Sequence, residues 1–101
     1  MLVRTIACGL VLALTAAAQA DEVADKVCPI LEKAAAALEG KVDAAVQAEL
    51  VMGIGQAWDF DFKALKTVTD TIDDAASAGC PKARDALLKH LQMGSLQEVL
   101  R

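Results

Sequence analysis

Two cysteines constrain the fold of this chain more than any other feature. Cys28 and Cys80 each precede a proline, in "VCPIL" and "GCPKA", and each pair opens a segment with helical periodicity. Two thiols in an oxidising compartment allow one intramolecular pairing, so the sequence predicts a Cys28–Cys80 disulfide. Because a disulfide needs Cα atoms within about 7 Å, we expect the start of the first helix to meet the junction of the third and fourth helices.

The oxidising compartment is predicted from the first 20 residues, which have the pattern of a secretory signal peptide. Arg4 supplies the positive charge, an apolar segment spans residues 6–14, and Ala18-Gln19-Ala20 gives the small-x-small pattern before Asp21. The apolar segment is shorter than the roughly 20 residues that a membrane-spanning helix needs. We expect cleavage after Ala20, leaving one mature domain over 21–101 in the periplasm or secreted. Cys8 would leave with the peptide.

The charge of the predicted mature chain narrows the choice of partners. Without Arg4, nine basic residues stand against 14 acidic ones, a net charge near −5. Nucleic acids and anionic membranes both need clustered Lys and Arg on the protein. We therefore expect no nucleic-acid partner and no membrane partner after signal cleavage.

Apolar residues recur at spacings of three and four in four successive segments, as amphipathic helices require. Gly40, Gly79 and Gly94 are predicted to end the first, third and fourth helices, with Gly79 as a left-handed C′ residue, and Gly53 and Gly55 to interrupt the second near its end. Pro29 would lie in the first turn if the first helix began near Asp25, and would kink a helix that began at Glu22.

Helix starts are also marked. Asp59 or Asp61 can cap the third helix, Cys80-Pro81 has the N-cap and N1 pattern of a fourth, and Ser95 with Glu98 forms a capping box before a short last helix. No segment alternates with the period of a strand. The sequence thus predicts an all-α fold: a small disulfide-stapled bundle of four helices plus a short C-terminal helix.

Two other uses of Cys28 and Cys80 are less compatible with the sequence than a structural disulfide. A redox pair normally has its cysteines close together, whereas these stand 52 positions apart with no acid or base beside them. A haem-ligating thiolate needs a free thiol, which an oxidising compartment removes, and no Cys-x-x-Cys-His is present. The structural disulfide is preferred, and no cofactor is predicted.

Polar clusters give no catalytic or metal site. Asp59 and Asp61 resemble the opening of a calcium loop, but Lys63 and Ala64 stand where a ligand and a glycine are needed. The acidic cluster of Asp70, Asp73 and Asp74 is interpreted as a solvated helix face. His90, the only histidine, has no nucleophile placed to form a triad, so we expect neither a metal nor an enzyme.

The segment "GQAWDFDF" supplies the candidates for contact with a partner or ligand: Trp58, Phe60 and Phe62. Large aromatics on a loop either fill a core or form a binding hot spot. Core packing is the preferred interpretation for Trp58 and Phe62, and the sequence leaves Phe60 open because it alternates with two aspartates.

An exported, acidic, disulfide-linked helical domain without catalytic residues indicates binding. The preferred function is protein–protein interaction, with a protein partner or self-association, and a chaperone-like or acid-stress role would fit. Carboxylates would neutralise in acid while the basic residues stay charged, so self-repulsion would loosen the fold and expose apolar stripes. The alternative is a small hydrophobic-ligand binding protein with a pocket near Trp58.

The layout resembles that of the HdeA/HdeB family of acid-stress periplasmic chaperones. The resemblance rests on the signal peptide, the mature length, the spacing of Cys28 and Cys80, and the helical pattern. It implies a small helical protein that dimerises and that releases at acid pH to bind unfolding clients. The two Cys-Pro pairs and the Ala-rich helices are not features of that family, and the resemblance names no site.

Overall fold

Five α-helices make up the fold in the computed structural model, which describes residues 15–101, with side chains from residue 20 onward. The signal peptide is predicted over residues 1–20, of which residues 1–14 lie outside the described residues. The helices are α1 Thr15–Ala36, α2 Asp43–Ala57, α3 Phe62–Gly79, α4 Pro81–Leu91 and α5 Leu96–Leu100. Together they confirm the predicted all-α bundle of four helices with a short fifth.

Helix α1 is the centre of the bundle, because it packs against α2, α3 and α4, while α5 covers one side of α2 and α3. The buried stripe of each helix is aliphatic, as the periodicity predicted. The largest fully buried side chains are Val27, Leu31, Val46, Leu50, Ile72, Leu87 and Leu96. No helix within residues 15–101 is long and apolar enough to cross a membrane.

Helix starts follow the capping chemistry of the sequence. The Asp61 carboxylate accepts hydrogen bonds from the N–H groups of Lys63 and Ala64, so Asp61 rather than Asp59 caps α3. Cys80 is the N-cap of α4, and Pro81 occupies its first turn. The Ser95 hydroxyl accepts from the Glu98 N–H and opens α5.

Helix ends differ from the prediction in two places. Helix α1 ends at Ala36 rather than Gly40, where the Ala37 N–H donates to the Ala34 carbonyl three residues back, and Gly40 instead serves the following turn with φ of +78°. Helix α4 ends with Gln92 in the left-handed conformation, and the Gly94 N–H donates to the Glu98 carboxylate. Helix α4 therefore ends at a non-glycine C-cap, Gln92, and not at the predicted Gly94.

Gly79 is the last helical residue of α3, so the predicted left-handed C′ role is wrong. A Cβ at Gly79 would lie 3.1 Å from both the Ala24 Cβ and the Cys28 Sγ. The missing side chain lets the end of α3 approach α1 closely enough for the disulfide. The end of a helix and close packing against α1 both favour glycine at this position, but packing sets the helical conformation of Gly79.

Pro29 lies deep inside α1, because the helix begins at Thr15 and not at either predicted start. Its ring removes one backbone N–H, which leaves the Asp25 carbonyl without its helical donor. Both residues are exposed, so water can serve that carbonyl in place of the missing donor.

Candidate functional site

The turn between α2 and α3 is tightly closed on the end of α2. The N–H groups of Trp58 and Phe60 both donate to the Gly55 carbonyl, at 3.3 and 2.8 Å, and the Asp61 N–H donates to the Trp58 carbonyl. Asp59 and Phe60 have φ of 53° and 55°. This left-handed conformation is tolerated by aspartate but costs about 1 kcal/mol or more for phenylalanine. Packing of the Phe60 side chain must offset that cost.

The Phe60 ring gains its packing from Gly55. A Cβ at Gly55 would lie 2.5 Å from the ring Cε1, so only glycine leaves room for the aromatic ring against the backbone of α2. Gly53 has the same role on another face, where a Cβ would lie 3.0 Å from the Ile30 Cγ2 on α1. The prediction that these glycines interrupt α2 is wrong, because the helix continues through both to Ala57.

The three aromatic candidates occupy different environments. Trp58 is partly buried against the core, with the Lys26 ammonium 5.0 Å from its ring centroid. Phe60 is 47% exposed and Phe62 is 84% exposed. The preferred interpretation of Phe62 as a core residue is therefore wrong. Phe62 is the first residue of α3, and the buried stripe of that helix begins only at Val68.

Phe60 and Phe62 border an apolar groove between α2, α3 and α5. The groove has a volume of about 280 Å³ and is open to solvent. Its lining is Val51, Ile54, Gly55, Phe60, Phe62, Leu65, Thr69 and Leu100. No charged side chain lines it, and its single hydroxyl, on Thr69, donates to the Leu65 carbonyl at 2.8 Å. The groove is therefore suited to apolar side chains.

Several groove residues were not candidates from the sequence. Val51 and Leu65 come from α2 and α3, and Leu100 comes from the short α5. Val51 is 42% exposed and lies outside the buried stripe that includes Leu50 and Ile54. Val51 could have been recognised in the sequence as an apolar residue outside the buried stripe of α2. No sequence pattern indicated that α5 would pack beside Val51.

The cysteines join where the sequence predicted. Cys28 and Cys80 form a disulfide with Cα atoms 5.7 Å apart. Both residues are buried, so the sulfurs lie against the core rather than in an open redox site. This geometry fits a structural staple between α1 and the α3–α4 junction.

Asp73 is a structural residue, which the interpretation of a wholly solvated acidic face missed. Its Oδ1 accepts hydrogen bonds from the Arg84 Nε and Nη2 at 3.2 and 3.0 Å and from the Leu96 N–H at 2.8 Å. Its Oδ2 accepts from the Gln97 N–H at 3.2 Å. One carboxylate thus joins α3 to α4 and to the start of α5, whereas Asp70 and Asp74 are exposed.

His90 ties α4 to the start of α2. Its Nε2 lies 3.2 Å from the Lys41 carbonyl oxygen and 3.6 Å from an Asp43 carboxylate oxygen. These contacts occupy the ring in a structural role. Within residues 20–101, no group of three His, Cys, Asp or Glu side chains is arranged to hold a metal ion. The absence of enzymatic activity stays a prediction.

The chain was compared with known families, proteins and structures. It matches no protein-family model, no curated protein and no solved structure. The similarity in layout to the HdeA/HdeB family therefore stays a prediction from the sequence.

Proposed function

We propose that this chain is an exported, periplasmic helical protein that acts through protein–protein interaction at the apolar groove. The observation that carries this proposal is the exposure of Phe62 beside a groove without charged lining. Exposed aromatic side chains next to an apolar depression are typical of the anchors of protein interfaces. The role is chaperone-like: the groove holds apolar segments that other proteins expose when they unfold.

Export is supported by two further observations. Among the described side chains, the buried core begins at Val23, after the predicted cleavage site. The disulfide between Cys28 and Cys80 would persist in an oxidising compartment. Both agree with the signal-peptide pattern.

An acid-stress role is supported by the charge balance and by Asp73. Protonation of the carboxylates would leave the basic residues and His90 in a strongly cationic chain. Protonated Asp73 would also lose its ionic contact with Arg84. Loosening of α5 in acid would widen the groove, because Leu100 forms part of its wall.

Small-ligand binding is the weaker alternative. Sites for small molecules place a few polar groups among apolar ones to fix the ligand's orientation. The hydroxyl of Thr69 already donates to a backbone carbonyl, and Trp58 does not line the groove. A change of Trp58 fluorescence on addition of lipids from a cell extract would favour this alternative.

The proposed function is tested by the protection of a defined client, such as reduced lysozyme, from aggregation. The oxidised protein is compared with Phe62→Ser and with Val42→Ser at neutral pH and near pH 3. Val42 is 68% exposed but lies outside the groove, so it controls for loss of surface hydrophobicity. We expect protection by the unaltered protein and by Val42→Ser, with loss in Phe62→Ser. Equal behaviour of all three would count against the proposal, as would no protection at either pH.

A further inference from the structure

The groove and its most exposed neighbour form a complementary pair on one surface. Phe62 protrudes from the first turn of α3 with 84% of its surface exposed, and the groove opens beside it. A protruding ring and an apolar depression on the same face are what a two-fold symmetric contact needs, since each copy offers both to the other. A foreign segment would use only the depression.

We propose that this face joins two copies of the chain, with Phe62 of each copy inserted into the groove of the other. The inference deepens the proposed protein-interaction function by naming a second copy as the occupant, and it rests on the same groove. The ring enters between Val51 of α2 and Leu65 of α3, with Leu100 of α5 at its side.

The size of the groove fits this occupant. An engineered apolar cavity of about 150 Å³ holds a benzene ring. The groove, at about 280 Å³, can therefore take a phenyl ring and part of a neighbouring side chain. Its lack of charged lining means that the incoming ring leaves no buried charge unpaired.

The charges around Phe62 favour an antiparallel arrangement of the two copies. Asp59 and Asp61 precede Phe62 in the chain, Lys63 and Lys66 follow it, and all four are exposed. With the two-fold axis perpendicular to this segment, the two copies of the segment run antiparallel, so the acidic side of one copy faces the basic side of the other. These contacts oppose the repulsion between two chains of net negative charge.

The extent of the apolar surface sets the strength of association. Among the residues that line the groove, the exposed apolar area is dominated by Phe62, with Phe60 and Val51 each about half exposed. Stable dimers usually bury about 800 Å² on each partner. Three such side chains form the centre of a small interface, so we expect a reversible monomer–dimer equilibrium with a micromolar dissociation constant.

The test is sedimentation equilibrium of the exported, oxidised protein over a wide range of concentration. We expect dimers that dissociate on dilution. Phe62→Ser removes the ring and Val51→Asp places a charge in the groove, and each should weaken the dimer by about tenfold or more. Val42→Ser should leave it unchanged. Circular dichroism checks that each variant is folded, which the exposure of all three positions favours.

A mixture of the two variants distinguishes this exchange of rings from non-specific hydrophobic association. The Phe62→Ser copy keeps Val51, Leu65 and Leu100 in its groove, and the Val51→Asp copy keeps the Phe62 ring, so their heterodimer regains one of the two contacts that each homodimer lacks. We expect the mixture to dimerise more tightly than either variant alone. No gain on mixing would overturn the exchange of rings.

The same variants distinguish the two proposals. A chain that stays monomeric throughout, while Phe62→Ser still loses client protection, would overturn self-association and leave the proposed function standing. Dimerisation that requires Phe62, without any client protection, would support self-association and count against the chaperone-like role. A chain with neither property would overturn both.

Discussion

The ring of Phe60 lies against the backbone of Gly55, five residues earlier in the chain, where a Cβ would come within 2.5 Å of its Cε1. This contact folds the chain back on the end of α2 and holds Phe60 in a left-handed conformation that a large side chain rarely adopts. It directs the chain into α3 with Phe62 at the surface. The glycine therefore shapes the proposed binding face without lining it with a side chain of its own.

Replacement of Gly55 by alanine is expected to destabilise the protein by about 1–3 kcal/mol, because the added methyl group forces the Phe60 ring away. In a Phe60→Ala background the same change should cost little, or stabilise by up to about 1 kcal/mol, since alanine is the better helix residue. Urea unfolding of the two single variants and the double variant measures this coupling. Gly94→Ala, whose Cβ would lie 3.4 Å from the Glu98 Oε1, is the control. Equal costs of Gly55→Ala in both backgrounds would contradict the contact.

Loss of the disulfide is expected to remove about 4 kcal/mol of stability, on the chain-entropy estimate for a loop closed over 52 positions. This is a large share of the 5–15 kcal/mol or so that a typical domain possesses, so the reduced protein should melt far lower. Thermal unfolding of the oxidised and reduced protein, followed by circular dichroism, gives the difference. A Cys28→Ser/Cys80→Ser variant should match the reduced protein and be insensitive to reductant. An unchanged melting temperature on reduction would show that the disulfide is not the staple described.

Asp73→Ala is expected to cost about 1–3 kcal/mol, because it leaves Arg84 and the first N–H groups of α5 without their acceptor. The neighbouring variant Asp74→Ala, at an exposed position, should stay within about 0.5 kcal/mol of the unaltered protein. Hydrogen exchange should show where the structure is destabilised. In Asp73→Ala, protection should fall first in α5, because the start of α5 depends on Asp73. Equal effects of the two variants would argue against the role of Asp73.

Phe62→Ser should change the free energy of unfolding by less than about 0.5 kcal/mol, because the side chain is almost wholly exposed. Ile72→Ala on the same helix, at a fully buried position, should cost about 2–5 kcal/mol. Denaturant unfolding at a concentration low enough to keep the chain monomeric compares the two. A large loss of unfolding free energy in Phe62→Ser would indicate that Phe62 packs in the core, as the sequence predicted.

The N-terminus of the exported protein is expected to be Asp21. Intact mass of the protein recovered from the periplasm, with and without alkylation, tests both cleavage after Ala20 and the absence of free thiols. The expected mass is that of residues 21–101, which exclude Cys8, less the two thiol hydrogens lost when the disulfide forms. A mature chain that retains Cys8 would contradict the assignment of residues 1–20 to the signal peptide.

The helical class, the number of helices and the disulfide could all be predicted from local patterns in the sequence. Periodic apolar residues and local caps depend on neighbours within one or two turns, so they can be recognised without the fold. Asp61, Cys80-Pro81 and Ser95 therefore mark real helix starts. The disulfide followed because only two cysteines remained to pair.

The roles of the glycines, the acidic cluster and the aromatics follow instead from long-range packing. Glycine often interrupts or ends a helix. Gly53, Gly55 and Gly79 instead each allow another segment to pack closely against a helix that continues through the glycine or up to it. Asp73 acts on residues more than 20 positions later in the chain, and no local pattern distinguishes it from Asp74. Phe62 is exposed because it is the first residue of α3, and the buried stripe of that helix begins only at Val68. Long-range contacts of this kind depend on where the helices meet, which local periodicity does not encode.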